Sequence, residues 1–450
     1  MKLSILGSGY VGLTTGICLA SLGHEVIFSD IDKKKLENLK QGIIPIYEPG
    51  LEELYKANKE NISFAEDTKT LLAQSNMIFI CVGTPSQEDG SIDLTYVEQA
   101  CKDLGRALQD AKEYPVLIIK STVVPGTTDK MRPIIEAASG KKAGEDFGLV
   151  MNPEFLREGI AVEDFLKPDR IVVGAAHEKE KTKIHDLYRG SFPDVDIFTT
   201  NPSTAEMIKY TSNCFFATCI SFSNEVSNIC EAFGNIKQRD VLYGLTLDKR
   251  IKPIIDGKRL TPGVVSFLAA GCGYGGSCFP KDVNAIISHA SKQGYVPHLL
   301  KDVAAINTKQ MLFIVDKTEQ TAGNLDGRRI AILGLAFKPD TDDIRESAAI
   351  TLINILKKKA CELHVHDPKA MDNVRETFKD TLNYHENPQD TVKDADICFV
   401  VTSWKEYLIL PESFFLEHMK TPVVVDCRGV YKDMKEVTYV NVGSPTDEKL

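Results

Sequence analysis

A doubly wound α/β fold, built twice and joined by a long helix, is what this sequence predicts. Short apolar runs alternate with helix-like stretches through the first half, the pattern of a parallel sheet covered on both faces. The first run leads straight into Gly7-Ser8-Gly9-Tyr10-Val11-Gly12, a glycine-rich turn between a strand and a helix. The same strand–turn–helix logic restarts near Arg328 after a helical middle region.

In chain order, strands are expected at Lys2–Leu6, Glu25–Ser29, Met77–Val82, Pro115–Ile119, Phe147–Met151 and Ile171–Gly174. Helix-like stretches between them include Leu13–Leu22, Lys33–Lys40 and Leu51–Ala57. From Ser203 to Phe233 the pattern becomes one long helix, with Ser203 as its cap, Glu206 three residues on as in a capping box, and Gly234 beyond its end. A loop-rich stretch, Lys249–Pro280, precedes a further helical region reaching about Thr318. Arg329–Phe337 then echoes Ser4–Tyr10, Glu362–Asp367 echoes Glu25–Asp30, and Asp396–Ser403 echoes Asn76–Thr84. Three matches in one order point to an internal duplication. The second copy lacks the GxGxxG glycines, so it is expected to hold something other than a dinucleotide in the usual way. The expected segments are a dinucleotide-binding Rossmann domain over residues 1–200, a central helical region with a cysteine loop over 201–322, and a second Rossmann-like domain over 323–450.

Charge and cysteines exclude several classes. A net charge of −10 over 450 residues argues against non-specific nucleic-acid binding, which needs broad positive surface. An anionic ligand must therefore be held by a few local Lys and Arg. A strand beginning at residue 2 leaves no room for a signal peptide, and no apolar run approaches membrane-spanning length. The eleven cysteines are scattered and mostly lie in apolar segments, as with Cys18, Cys81, Cys230 and Cys398. No CxxC or zinc-like spacing occurs, so no metal is expected and a reducing cytoplasm is the expected compartment.

Two features carry chemistry. Gly7, Gly9 and Gly12 allow a tight turn, close approach of backbone to a pyrophosphate, and tight helix–sheet packing. Asp30 ends the second strand at about the 20-residue spacing at which a carboxylate meets a ribose diol. A carboxylate there repels a 2′-phosphate, which favours NAD over NADP, although Lys35 nearby is a cation able to accommodate that phosphate. The second feature is Gly275-Gly276-Ser277-Cys278-Phe279-Pro280-Lys281-Asp282. Lys281 and the start of the following helix favour a thiolate at Cys278, whereas Cys272 reads as structural. A redox cofactor with a placed thiol implies oxidation through a covalent sulfur intermediate. Lys209 and Asn213 are i and i+4 on the long helix and can both donate to a developing oxyanion. Glu154, just past the strand ending at Met151, is a candidate general base; Glu158 can equally be an ordinary helix-start acid.

These residues resemble the nucleotide-sugar dehydrogenases nearly end to end. The resemblance rests on Gly7–Gly12, Tyr47-Glu48-Pro49-Gly50-Leu51, Val82-Gly83-Thr84-Pro85, Lys120-Ser121-Thr122-Val123, Asn152–Gly159, Asp169-Arg170-Ile171, Gly275–Asp282, Phe337-Lys338-Pro339-Asp340-Thr341 and Arg345-Glu346-Ser347. Asp169–Gly174 looks more like the UDP-glucose branch than the GDP-mannose branch, and the UDP-N-acetylhexosamine branch usually has a different cysteine loop. The resemblance implies two NAD-dependent oxidations at C6 of UDP-glucose, giving a uronic acid. Cys278 would trap the aldehyde and then carry a thioester. Asp282 with a water would take the first proton, Glu154 would assist hydrolysis, Lys209 and Asn213 would stabilise oxyanions, and Thr122 would position a water. For the cofactor it adds Tyr10, Val11, Lys35, Thr84, Thr122, Glu158, Lys281 and Arg345. For the nucleotide sugar it adds Phe155, Leu156, Lys209, Asn213, Phe267, Gly275, Lys338 and Arg428. The central helix implies a homodimer. One region departs from the family: Arg250-Ile251 is followed by a long stretch through Gly263, and Ala269-Ala270 replaces a lysine. Which of Arg250 and Arg259, if either, reaches a neighbouring subunit's substrate stays open.

Overall fold

Apolar runs of four or five residues form strands here because alternate side chains enter cores on both faces of a sheet. The computed structural model describes residues 1–431 and 434–442; residues 443–450, which close the third predicted segment, lie outside them. The chain divides into two compact units, residues 1–212 and the residues from Asn213 on.

The first unit holds β1 (Lys2–Leu6), β2 (Glu25–Ser29), β3 (Ile62–Phe64), β4 (Met77–Ile80), β5 (Val116–Ile119), β6 (Gly148–Met151), β7 (Ile171–Ala175) and β8 (Ile197–Thr200). Their order in the sheet is β3-β2-β1-β4-β5-β6-β7-β8. Leu3, Ile5, Val26, Phe28, Phe79 and Ile118 enter one core, while Ile27, Ile78, Ile80, Leu117 and Ile119 enter the other. The expected parallel sheet needs one correction. β6 and β7 pair antiparallel, through Val150↔Ala175 and Met151↔Gly174. Because β1 pairs with both β2 and β4, the strand order switches there, and the crevice past the strand C-termini is where such sheets bind ligands. Gly7, Asp30, Thr84, Thr122 and Glu154 all lie within a few residues of those ends, after β1, β2, β4, β5 and β6.

In the second unit a short antiparallel pair, β9 (Ile254–Ile255) and β10 (Lys258–Arg259), precedes a six-stranded sheet. That sheet contains β11 (Arg329–Leu333), β12 (Glu362–His366), β13 (Asn383–Tyr384), β14 (Ile397–Val400), β15 (Val423–Asp426) and β16 (Thr438–Asn441), in the order β13-β12-β11-β14-β15-β16. The first six strands of the first sheet have the same order, so the duplication legible in the sequence is also a duplication of topology. It reaches single hydrogen bonds: the Gly7 N–H donates to Ser29 O at 2.8 Å, and the Gly334 N–H donates to His366 O at 2.9 Å. The copies diverge at the carboxylate after the second strand. Asp367, the counterpart of Asp30, is buried, and its Oδ2 accepts from the Leu335 N–H (2.7 Å), the Ala336 N–H (2.9 Å) and Trp404 Nε1 (3.0 Å). Asp30 accepts equivalent backbone bonds but stays part-exposed, so what sets the second copy apart is the burial of Asp367 beneath Trp404.

The long helix spans Pro202–Phe233, and its expected cap is corrected. Asn201 Oδ1, not Ser203, accepts from the Thr204 N–H at 2.8 Å. Pro202 takes the first helical position, where its missing N–H costs no intrahelical bond, and Ser203 Oγ donates instead to Asp129 Oδ2. Glu206 does not turn back to close a capping box. It is fully buried and accepts from the Gly126 N–H (2.6 Å), the Thr128 N–H (2.7 Å) and Thr128 Oγ1 (2.6 Å), which caps the helix Thr127–Ser139. Burial pushes its carboxyl up to about 7 against these three donors. The helical region expected to reach Thr318 is two helices, Phe279–Lys292 and His298–Ala322. Among the described residues, no helix is long and apolar enough to cross a membrane.

Candidate active site

In the first unit, β1 runs into a turn that only glycine permits. A Cβ at Gly12 would lie 1.9 Å from Gly7 O, so the helix Tyr10–Ser21 packs directly on the turn. A Cβ at Gly9 would meet nothing within 4 Å. Gly9 thus offers open backbone at a helix start that has no side-chain cap, a surface a pyrophosphate can approach. Asp30 completes the fit to NAD. Its Oδ2 accepts from the Ser8 N–H at 2.6 Å and Ser8 Oγ at 2.7 Å, and its Oδ1 accepts from the Asp32 N–H at 2.9 Å. Burial pushes this carboxyl up, but the Ser8 and Asp32 bonds and the Lys35 charge outweigh it and hold Asp30 below its usual range. It therefore stays ionised at neutral pH and able to accept hydrogen bonds. Lys35 is exposed on the helix Lys33–Lys40, which Asp32 caps.

Tyr10 reaches away from the glycine turn. Its hydroxyl donates to Glu48 Oε2, and Glu48 also accepts from the Gly159 N–H (2.6 Å) and the Ala161 N–H (2.7 Å). Glu48 therefore ties the first helix to the loop carrying Glu154 and the buried Glu158. Val11 packs against the same core. In the sequence Glu48 stands inside Tyr47–Leu51 with nothing local to mark this task; the contact bridges more than a hundred residues, and only the fold reveals it.

Glu154 and Lys209, proposed from separate features, form a buried ion pair. Lys209 Nζ lies 2.8 Å from Glu154 Oε1, with 4% and 5% of the side chains exposed. Glu154 Oε2 accepts from the Leu156 N–H at 2.6 Å. Burial pushes the Glu154 carboxyl up, but the Lys209 charge and hydrogen bond, the Leu156 N–H and Lys120 together bring it below the usual carboxylate range. Phe155 is held by cations: the Arg170 guanidinium sits 4.0 Å and Lys209 Nζ 5.6 Å from its ring centre. Thr84 and Thr122 lie half-buried in the loops after β4 and β5.

In the second unit, Cys278 is the N-cap of the helix Phe279–Lys292, where the positive helix end stabilises negative charge. Ser277 Oγ lies 3.5 Å from its sulfur. One turn on, Asp282 is almost fully buried. Its Oδ2 accepts from Asn213 Nδ2 at 2.6 Å and its Oδ1 from Lys281 Nζ at 2.5 Å, while its N–H donates to Cys278 O at 2.8 Å. Asn213, Lys281 and Asp282 thus form one connected network at the cysteine's helix. Cys272 is buried with its thiol toward Val401 O.

The glycines before Cys278 press the loop against the segment after β11. A Cβ at Gly275 would lie 2.2 Å from Glu346 O, and Gly276 has φ +80° with its ring neighbour Phe337 at 2.6 Å from such a Cβ. The Gly276 N–H donates to Arg345 O at 2.9 Å, and the Arg345 guanidinium pairs with Asp343 at 2.7 Å. Arg428 straps the same region. Its guanidinium donates to Val401 O (2.9 Å), Gly273 O (3.3 Å) and Phe337 O (3.2 Å). Lys338 Nζ lies 5.6 Å from the Phe337 ring centre, and Phe267 stacks on Phe216 at 4.3 Å.

Strand order, the glycine turn and the carboxylate ending β2 fit an NAD-binding oxidoreductase. Family models divide its length as an NAD-binding domain over residues 1–191, a central domain over 203–309 and a UDP-binding domain over 331–433. The chain belongs to the UDP-glucose/GDP-mannose dehydrogenase family. It is 41% identical to the UDP-glucose 6-dehydrogenase AglM of Haloferax volcanii, covering 98% of this chain and 99% of that one. The UDP-glucose 6-dehydrogenase TuaD of Bacillus subtilis is 38% identical, with 99% and 93% covered. Among solved structures, a UDP-glucose dehydrogenase from Pyrobaculum islandicum matches with a TM-score of 0.88 at 38% identity, covering 98% of both chains.

Proposed function

We propose that the protein oxidises UDP-glucose at C6 to UDP-glucuronate in two steps, through a thioester on Cys278. The observation that carries the chemistry is Cys278 at a helix N-terminus, with the Asn213–Asp282–Lys281 network one turn on. The sugar is supported by the full-length similarity to UDP-glucose 6-dehydrogenases.

Asp282, with a water, receives the C6 hydroxyl proton in the first oxidation. Its bonds from Asn213 and Lys281 fix the direction of the carboxylate. The Cys278 thiolate then adds to the aldehyde carbon, and the resulting thiohemiacetal is oxidised to a thioester. A water positioned by Thr122 attacks that thioester, Glu154 takes its proton, and sulfur leaves as thiolate. Lys209 and Asn213 donate to the oxygen that gains charge at each tetrahedral stage. NAD, when bound, accepts the hydride given up at C6 in each oxidation. Gly7, Gly9, Tyr10, Val11, Gly12, Asp30, Lys35, Thr84, Glu158, Lys281 and Arg345 are the residues proposed to hold it. Phe155, Leu156, Phe267, Gly275, Lys338 and Arg428 are proposed for the nucleotide sugar. Turnover with UDP-glucose, GDP-mannose and UDP-N-acetylmannosamine tests this. Two NADH per UDP-glucose are expected, with the other two sugars far slower; NADH from GDP-mannose alone would overturn the substrate assignment.

A homodimer is part of the same proposal. Phe215, Phe222 and Ile229 recur every seven residues on the long helix and, with Phe233, are each 46% exposed or more, an apolar stripe of the kind that a partner covers. Phe222→Glu is expected to shift the protein from dimer to monomer in sedimentation velocity. An unchanged dimer would place the interface elsewhere.

A further inference from the structure

Lys120 follows β5 and turns its ammonium inward, leaving it only 4% exposed. A buried cation needs compensation, and its hydrogen-bond partner here is neutral: Nζ donates to Asn152 Oδ1 at 3.0 Å. The same oxygen accepts from the Tyr188 hydroxyl, while Asn152 Nδ2 donates to Val172 O at 2.9 Å and its N–H to Ile119 O at 2.9 Å. Asn152 is thereby locked two residues before Glu154.

The ionisable groups around Lys120 come from four elements. Cys81 follows β4, Glu154 lies in the loop after β6, Lys209 is on the long helix, and Tyr188 is on the helix Glu178–Ser191. The Phe79 ring of β4 lies 6.0 Å from Nζ. Burial pushes the Cys81 thiol up to about 12 and the Tyr188 hydroxyl up as well, so neither is an anion at neutral pH. Two cations therefore share one carboxylate, Glu154. Burial foremost lowers Lys120 to about 8; Cys81 and Glu154 oppose that, and Lys209 adds to it.

Resting on the thioester chemistry proposed above, we infer that Lys120 is a positioning residue for Glu154. It locks Asn152 at the root of the loop and supplies the second positive charge that keeps the Glu154 carboxylate ionised for thioester hydrolysis. Lys209 pairs directly with Glu154, whereas Lys120 acts through Asn152 and through its charge. The sign follows from the pair. Removing the Lys120 charge raises Glu154, so the base is protonated over more of the acid side and hydrolysis is lost there first.

The test is the pH profile of UDP-glucuronate release, quenched and quantified after the second NADH has formed. In Lys120→Met the acid limb is expected to move up by about one pH unit, an about tenfold loss on its acid side, with a smaller fall at the alkaline plateau from the freed Asn152 and the KM for NAD kept. Lys120→Arg, which retains the charge, is expected to keep the wild-type limb. In a Glu154→Gln background Lys120→Met should add no further loss. A Lys120→Met limb that coincides with wild type, a loss equal at every pH, or an equal loss in the Glu154→Gln background would overturn the assignment. Lys120→Gln replaces Lys120→Met where the latter does not fold, with the same shift expected. Failure of both to fold would make Lys120 purely structural and overturn it too. A wild-type enzyme that releases no UDP-glucuronate would count instead against the proposed function.

Discussion

Cys278→Ala is expected to abolish UDP-glucuronate formation, by about 10⁴-fold or more, while UDP-glucose and NAD still bind. The reason lies in the second oxidation. An aldehyde carbon carries no hydroxyl to drive out a second hydride until a nucleophile adds to it, and in the proposed mechanism the sulfur of Cys278 makes that addition. Thiolate is also the better leaving group when water attacks the acyl intermediate. Cys278→Ser should therefore fail differently, accumulating an ester that hydrolyses slowly because alkoxide leaves poorly. Cys278 is only partly buried and its side chain closes no helix cap, so thermal stability should change little in either variant. The check is product analysis beside equilibrium binding. Full uronate formation by Cys278→Ala would refute covalent catalysis.

Lys209→Met should be the most damaging change in the first unit, in stability as well as rate. It leaves the Glu154 carboxylate buried without its partner at 2.8 Å, and breaking such a pair from one side costs about 3–5 kcal/mol. If Lys209 is the oxyanion donor of the proposed mechanism, its loss adds an about 10²–10³-fold fall in turnover. The pH dependence distinguishes this cause from general misfolding. In the wild type Glu154 is held below its usual range, so the pair's contribution is present above the ordinary carboxylate pKa and lost as pH falls through the lower folded value. In the variant burial acts unopposed by Lys209 and raises Glu154, so stability is highest at acid pH and falls as pH rises. The gap in denaturation midpoint between wild type and variant should thus be smaller at about pH 5 than at about pH 8. Lys209→Met/Glu154→Gln should recover much of the stability and none of the activity. A gap that does not vary with pH would remove the unpaired carboxylate as its cause.

Six strands of the first sheet and β11, β12 and β14 of the second were legible in the sequence because strands buried on both faces are uninterrupted apolar runs; β15 and β16 were not singled out. β1 and β2 begin and end where those runs do. β3 and β13 escaped notice because they are edge strands of two or three residues, and β8 because its Thr-rich, half-exposed sequence has no such run. The antiparallel pairing of β7 leaves no local trace, since direction is set by its connection and register. At the start of the long helix, Asn201-Pro202 carried the real signal, but Ser203 and Glu206 offered a more familiar pattern. Residues with chemistry in their type and spacing, such as Cys278 between its glycines and Asp282, could be singled out from sequence. Partnerships could not: Glu154 with Lys209, Tyr10 with Glu48 and Lys120 with Asn152 join residues brought close only by the sheet.

The most direct measurement is the mass of the covalent species. Glu154→Gln enzyme, mixed with UDP-glucose and NAD and quenched in acid, should carry a UDP-glucuronyl adduct on the peptide containing Cys278, and hydroxylamine should release it as expected for a thioester. Two NADH formed per UDP-glucose, with Cys278 unmodified at every time of quenching, would contradict a thioester route.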